Sequence, residues 1–123
     1  MMKLEEWVVD MKNLLYETLE PLGYPIFQQG SMAEDDVYPE SFFTYWNNET
    51  YGTEYYDNND NSCVWDFDLN FYSSQIDLVD TALLNAKTLL KQAGFIANGK
   101  GYDVASDEPT HIGRGINVLK IDK

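Results

Sequence analysis

Residues 57–71, DNNDNSCVWDFDLNF, admit two readings that exclude each other. Counted from Asp57 as a calcium loop, the segment places oxygen-bearing side chains at the expected ligand positions as Asp57, Asn59, Asn61 and Asp68. The sixth position, which such a loop gives to glycine for its sharp turn, is Ser62. The second half of the segment decides. Cys63, Trp65, Phe67, Leu69 and Phe71 alternate with Asp66, Asp68 and Asn70, a period of two that belongs to a strand with one apolar and one wet face. A calcium loop would need Trp65–Asp68 to turn into a helix instead. We therefore read a strand, and expect no dedicated ion site.

Working outward, the period changes to that of a helix after Ser74. Ser74 and Asp77 resemble a capping box, and Val79, Ala82, Leu83, Ala86, Leu89, Leu90 and Ala93 form one apolar stripe. Gly94 suits the left-handed residue that ends such a helix, with Phe95 as the apolar contact after it. Asp77 and Asp80 near the start, and Lys87 and Lys91 near the end, match the helix dipole. Upstream, SFFTYW (41–46) reads as a strand, and Asn47 to Ser62 as a long polar loop or extended hairpin tip. YPIFQQG suits a short strand that Pro25 confines to an edge. Leu4, Trp7, Val8, Met11, Leu14, Leu15 and Leu19 give a first helix from Lys3 to Glu20, stopped by Pro21 and Gly23.

Downstream, FIANGKGYDVASDE reads as a strand pair around a turn at Asn98–Gly101, and GINVLKI as a final strand. The order is α-β-β-β-α-β-β, with strands in runs and no regular alternation with helices. That predicts an α+β fold: an antiparallel or mixed sheet of about four to five strands with both helices on one face, as a single domain over 1–123.

Composition narrows the function classes. The 123 residues are 44% hydrophobic and 15% aromatic, too apolar for disorder, yet their formal net charge is −13. Residues 1–62 hold 13 acids and 2 bases; residues 63–123 hold 8 and 6. Such a surface repels phosphate, so a grip on DNA or RNA is not expected, although DNA could slide past it without sticking. Cys63 is the only cysteine, which rules out an intrachain disulfide and suits a reducing compartment. The N-terminal segment has acids where a signal peptide needs an apolar run, and no segment is long and apolar enough for a membrane span. A cytoplasmic site of synthesis is the expectation.

No catalytic set emerges. His111 is the only histidine, and Cys63 is predicted to face the core. Asp66 and Asp68 share a strand face as glycosidase carboxylates can, but nothing implies a sugar groove. NGKG and GRG lack the glycine spacing of a nucleotide-binding loop, so neither enzyme activity nor a cofactor is expected. Aromatic residues are more suggestive. Tyr45, Trp46, Tyr51, Tyr55 and Tyr56 gather in and beside the long loop, and such residues anchor protein interfaces. Arg114, the only arginine, stands between two glycines where it could pair with carboxylates of a neighbouring subunit.

Three stretches carry a family likeness: PESFFTYWNNETYGTEYYDN, VWDFDLNFYS and LLKQAGFIANGKGYDVASDEPTHIGRGINV. With Pro39, Phe42, Tyr45-Trp46, Trp65-Asp66, Gly94-Phe95 and Gly113-Arg114-Gly115 as its marks, the chain resembles the tail terminator or tail completion proteins of siphophages and prophages of Gram-positive bacteria. The likeness runs from the first helix to the last strand. It implies an α+β fold with helices packed on a sheet and self-assembly into a hexameric ring; subunits that are monomers in isolation and close into a ring only on the tube end would explain how polymerisation stops once. The ring would cap the tail tube, stop its polymerisation and dock the head-side connector. Asp35, Asp36, Asp57, Asp60, Asp66 and Asp68 would then line a DNA-conducting lumen or an acidic outer surface. An acidic DNA mimic or adaptor that inhibits a host nucleic-acid-binding protein is the alternative.

Overall fold

The computed structural model describes residues 4–28, 39–52, 63–97, 99, 101–106 and 108–122, with the side chains of 4–10, 49–52, 63 and 122 outside that description. Helix α1 (Leu4–Leu19) ends in a single 3-10 turn (Glu20–Leu22), and Gly23 closes it. Strands β1 (Ile26–Gln28), β2 (Ser41–Gly52) and β3 (Cys63–Ser73) follow. Helix α2 (Ile76–Gln92) leads to β4 (Ile96–Ala97), β5 (Tyr102–Val104) and β6 (Ile112–Asp122).

The strands form one sheet in the order β1-β2-β3-β6-β4, with β5 also on β6. It is mixed: β1 runs parallel to β2, while β2, β3 and β6 are antiparallel neighbours. Pro25 stands where the edge reading put it, and its carbonyl accepts from Phe43 N at 2.8 Å.

The alternation in β3 holds from Trp65 to Phe71, while Val64, on the other parity, is buried as well. Trp65, Phe67, Leu69 and Phe71 are all fully buried and meet Phe43 and Tyr45 of β2 and Ile116 and Val118 of β6. Met11, Leu15 and Leu19 of α1 and Val79, Ala82, Leu83, Ala86 and Leu90 of α2 pack into this same cluster, so both helices cover one face of the sheet. An α+β architecture with helices packed on a sheet is therefore the fold.

Several local expectations are corrected. Helix α2 starts at Ile76 with Gln75 as N-cap and no side-chain cap, so Ser74 and Asp77 form no capping box. Ser73 takes over instead: fully buried, its hydroxyl accepts from Gln75 N at 3.0 Å and lies 2.8 Å from that of Ser41. At the other end the expectation stands. Phe95 N donates to Leu90 O at 2.9 Å and Gly94 N to Lys91 O at 3.1 Å, with Gly94 at φ +95°. These are the two bonds of a Schellman motif, and Phe95 is buried as its apolar partner.

The polar stretch after Trp46 is not all loop. β2 runs on to Gly52 and pairs with β3 as far as Cys63, so the extended hairpin of the two alternatives is present up to that point; residues 53–62 lie outside the description. A register shift between Asn47 and Glu49 makes Asn48 the extra residue of a β-bulge.

Nor do β4 and β5 pair with each other around Asn98–Gly101. Both pair with β6: Ile96 and Ala97 with Leu119 and Val118, then Tyr102, Asp103 and Val104 with Gly115, Arg114 and Gly113. The two short strands thus make one interrupted edge along β6. Gly101 fits the interruption because its φ is +93° and a Cβ there would stand 2.8 Å from the Gly115 carbonyl oxygen.

Candidate functional site

GRG lies inside β6, near its start. Gly113 and Gly115 face away from the helices, where an added Cβ would lie 2.6 Å from the Tyr72 ring and 2.3 Å from Asn70 Oδ1. They are glycines because neighbouring side chains lie across the strand. Arg114 between them faces the helix side, opposite Phe71 and Asp103. Its guanidinium donates to Asp103 Oδ1 at 2.7 Å, and its Nε stands 3.5 Å from Asp80 Oδ1. Arg114 therefore bridges α2 and β5 within its own subunit.

This bridge forms one side of a cleft of about 950 Å³ between the first half of α2 and the β5–β6 end. Ile76, Leu84 and Ile112 line it, and they are 70%, 49% and 43% exposed. Asp80, Asp103 and Glu108 stand around them. His111 closes one end. Its Nε2 lies 2.8 Å from the Pro39 carbonyl, which can only accept, so Nε2 carries the proton; Nδ1 then accepts from the Thr110 hydroxyl at 2.9 Å. Beside it Phe42, Tyr72 and Phe27 pack as an aromatic ledge, with Phe42 stacked on Tyr72 at 5.4 Å and edge-on to Phe27 at 5.9 Å.

The far face of the sheet carries a second arrangement. Asp66 and Asp68 are half-buried there, and the Asn117 amide donates to Asp66 Oδ1 at 2.6 Å and to Asp68 Oδ1 at 3.2 Å. Asn48, turned by the bulge, adds a bond to Asp66 at 3.3 Å, and the Tyr102 hydroxyl donates to Asp68 at 3.3 Å. Partial burial, followed by the charge of Asp68, raises the Tyr102 pKa above its ordinary 10.0. The two neighbouring carboxylates thus share the neutral Asn117 amide as a common donor. Among the described residues no three His, Cys, Asp or Glu side chains are grouped as metal ligands.

The predicted aromatic surface divides. Tyr45 is a core residue, 3% exposed, because it shares the helix-facing parity of Phe43; burial, then its hydrogen bond with Tyr16, pushes its pKa up. The reading of Tyr45 as an interface anchor is thereby overturned. Trp46, one residue on, faces the opposite way and is 51% exposed. Tyr51 lies in β2, but its side chain is outside the described residues, as are Tyr55, Tyr56, Asp35, Asp36, Asp57 and Asp60 altogether.

The cleft was missed at the level of sequence. Leu84 carried the usable signal: it follows Leu83 but falls off the buried stripe of α2, and an apolar residue off the stripe is exposed. Asn117 gave none, since its partners follow only from the β3–β6 register. No family model and no curated protein matches the chain.

Proposed function

We propose that this chain is a non-enzymatic structural protein of a long-tailed phage. It assembles as a ring at the head-proximal end of the tail tube, ends tube polymerisation and provides the surface to which the head connector docks. Its partners are further copies of itself, the tube protein and the connector, and DNA passes nearby without specific binding. Its place is the virion, after assembly in the host cytoplasm. One observation carries the reading: three exposed apolar side chains, Ile76, Leu84 and Ile112, surround one cleft of a strongly acidic protein. Apolar surface gathered in one place is the mark of an association site. The sequence likeness described above supplies the setting, and the α+β fold accords with it.

The test is electron microscopy of particles from the parent phage with this gene deleted. Overlong tubes without heads are the expected result. Tails of normal length beside separate filled heads would move the role from termination to joining. Normal infectious virions would overturn the reading, and salt-sensitive capture of a basic host protein would then favour the acidic mimic.

A further inference from the structure

Helix α2 is polarised in a way that its own stability does not require. Around its first half stand Asp80, Asp103 and Glu108 with the exposed Ile76, Leu84 and Ile112 between them. Arg114 offsets one of these three carboxylates, so acids outnumber it around the cleft. The other end is the reverse. From Thr81 to Tyr102 the sequence has no Asp or Glu but contains Lys87, Lys91 and Lys100. Lys87 Nζ donates to the Gly99 carbonyl, Lys91 lies exposed in the last turn, and Lys120 Nζ reaches Gly94 from β6, 3.4 Å from where a Cβ would stand. Acids at the start and lysines at the end of a helix suit its dipole. The dipole does not account for Asp103, Glu108 and Lys120, which come from other elements, nor for three exposed apolar side chains.

We infer that these two ends fit each other between copies of the chain: the lysine end of one subunit seats in the acid-rimmed apolar cleft of the next. The inference rests on the ring-forming reading above and names the surfaces it would use. Lysine stems cover the exposed isoleucine and leucine side chains while their ammonium groups meet the rim carboxylates. Asp80 and Lys91 stand about 16 Å apart along α2 and belong to different surfaces, so the contact is head-to-tail, the kind that closes rings. The overall charge of −13 opposes the approach of free subunits, which keeps the contact weak off the tail.

Two variants test this: Leu84→Glu blocks the cleft, and the pair Lys87→Glu with Lys91→Glu reverses the lysine end. Sedimentation velocity and concentration-dependent amide shifts of labelled protein, up to about 1 mM, report association in the weak regime. For the unaltered chain, shifts are expected at both ends of α2 and at β5–β6. Each variant should associate at least about tenfold more weakly while keeping its circular dichroism. An equimolar mixture should form a pair and stop there, since it retains one working cleft and one working lysine end. Leu84→Ser and Lys91→Ala serve as milder versions should either variant misfold. Association unchanged in the variants, a mixture that stays apart, or an unaltered chain that is monomeric at about 1 mM would each overturn the inference. Such an outcome would leave the deletion phenotype untouched; normal virions with intact head-to-tail docking would retire the tail role and keep the interface.

Discussion

The two faces of β3 share one backbone and obey different rules. On the helix side, Trp65, Phe67, Leu69 and Phe71 are sealed in a continuous core where shape is the constraint. On the far side, Asp66, Asp68 and Asn70 lie half-exposed, and what orders the two aspartates is the number of donors within reach: Asn117, Asn48 and Tyr102. The period of the strand assigns residues to the two sides. It says nothing of what crosses the far side, and there the decisive contacts all come from other strands.

Substitutions can break this contrast, the largest effect coming from the sealed face. Phe67→Ala should cost about 3–5 kcal/mol in a denaturant titration, since the ring is fully buried and the layered core cannot collapse onto the gap. A cost under about 1 kcal/mol would mean the core is loosely packed. On the far face Gly115→Ala should cost about 1–3 kcal/mol by overpacking, because its methyl would stand 2.3 Å from Asn70 Oδ1 and 3.0 Å from the Tyr102 ring.

Asn117→Ala should cost about 1 kcal/mol, as two partly exposed carboxylates lose a shared donor. Adding Asp68→Asn to that variant should recover stability by relieving the repulsion; a double variant weaker than the single would show that the aspartates do not repel. The smallest effect at neutral pH sharpens the comparison most in alkali. Tyr45 and Tyr102 both have folded-state pKa values raised above 10.0, so the unfolded chain ionises first and stability should fall as pH climbs past 10. Tyr45→Phe should flatten that fall more than Tyr102→Phe, because the buried hydroxyl has the larger shift. Melting temperatures between about pH 9 and 11 would show it, and equal slopes in the two variants would contradict the burial argument.

Much of the fold could be read from local pattern, and the failures share a cause. α1, α2 and β3 announce themselves because each repeats one period over many residues, and Gly94-Phe95 marks a helix end by its own chemistry. NGKG looked like the turn of a hairpin, but β6 is long enough for β4 and β5 to share its edge, and that competition is non-local. Ser74 looked like a cap, but it is the buried Ser73, tied to Ser41 across the sheet, that accepts from the N–H of the N-cap residue Gln75. GINVLKI gave the last strand a start at Gly115, but β6 begins at Ile112, and Gly113 and Gly115 are in it because Tyr72, Asn70 and Tyr102 require the missing side chains. The cleft was hidden for the same reason: Ile76, Leu84 and Ile112 meet only once α2 and β6 are placed.

The position of β6 inside the sheet also imposes an order in time. A ribosome releases β2, β3 and α2 before the strand that must lie between β3 and the β4–β5 edge has been made. Until residues 112–122 arrive, one side of β3 keeps a row of open backbone donors and acceptors. The cleft cannot form earlier either, since Ile112 and Arg114 belong to that last strand. A nascent chain is thus unable to recruit a second copy through this surface before its own sheet is closed.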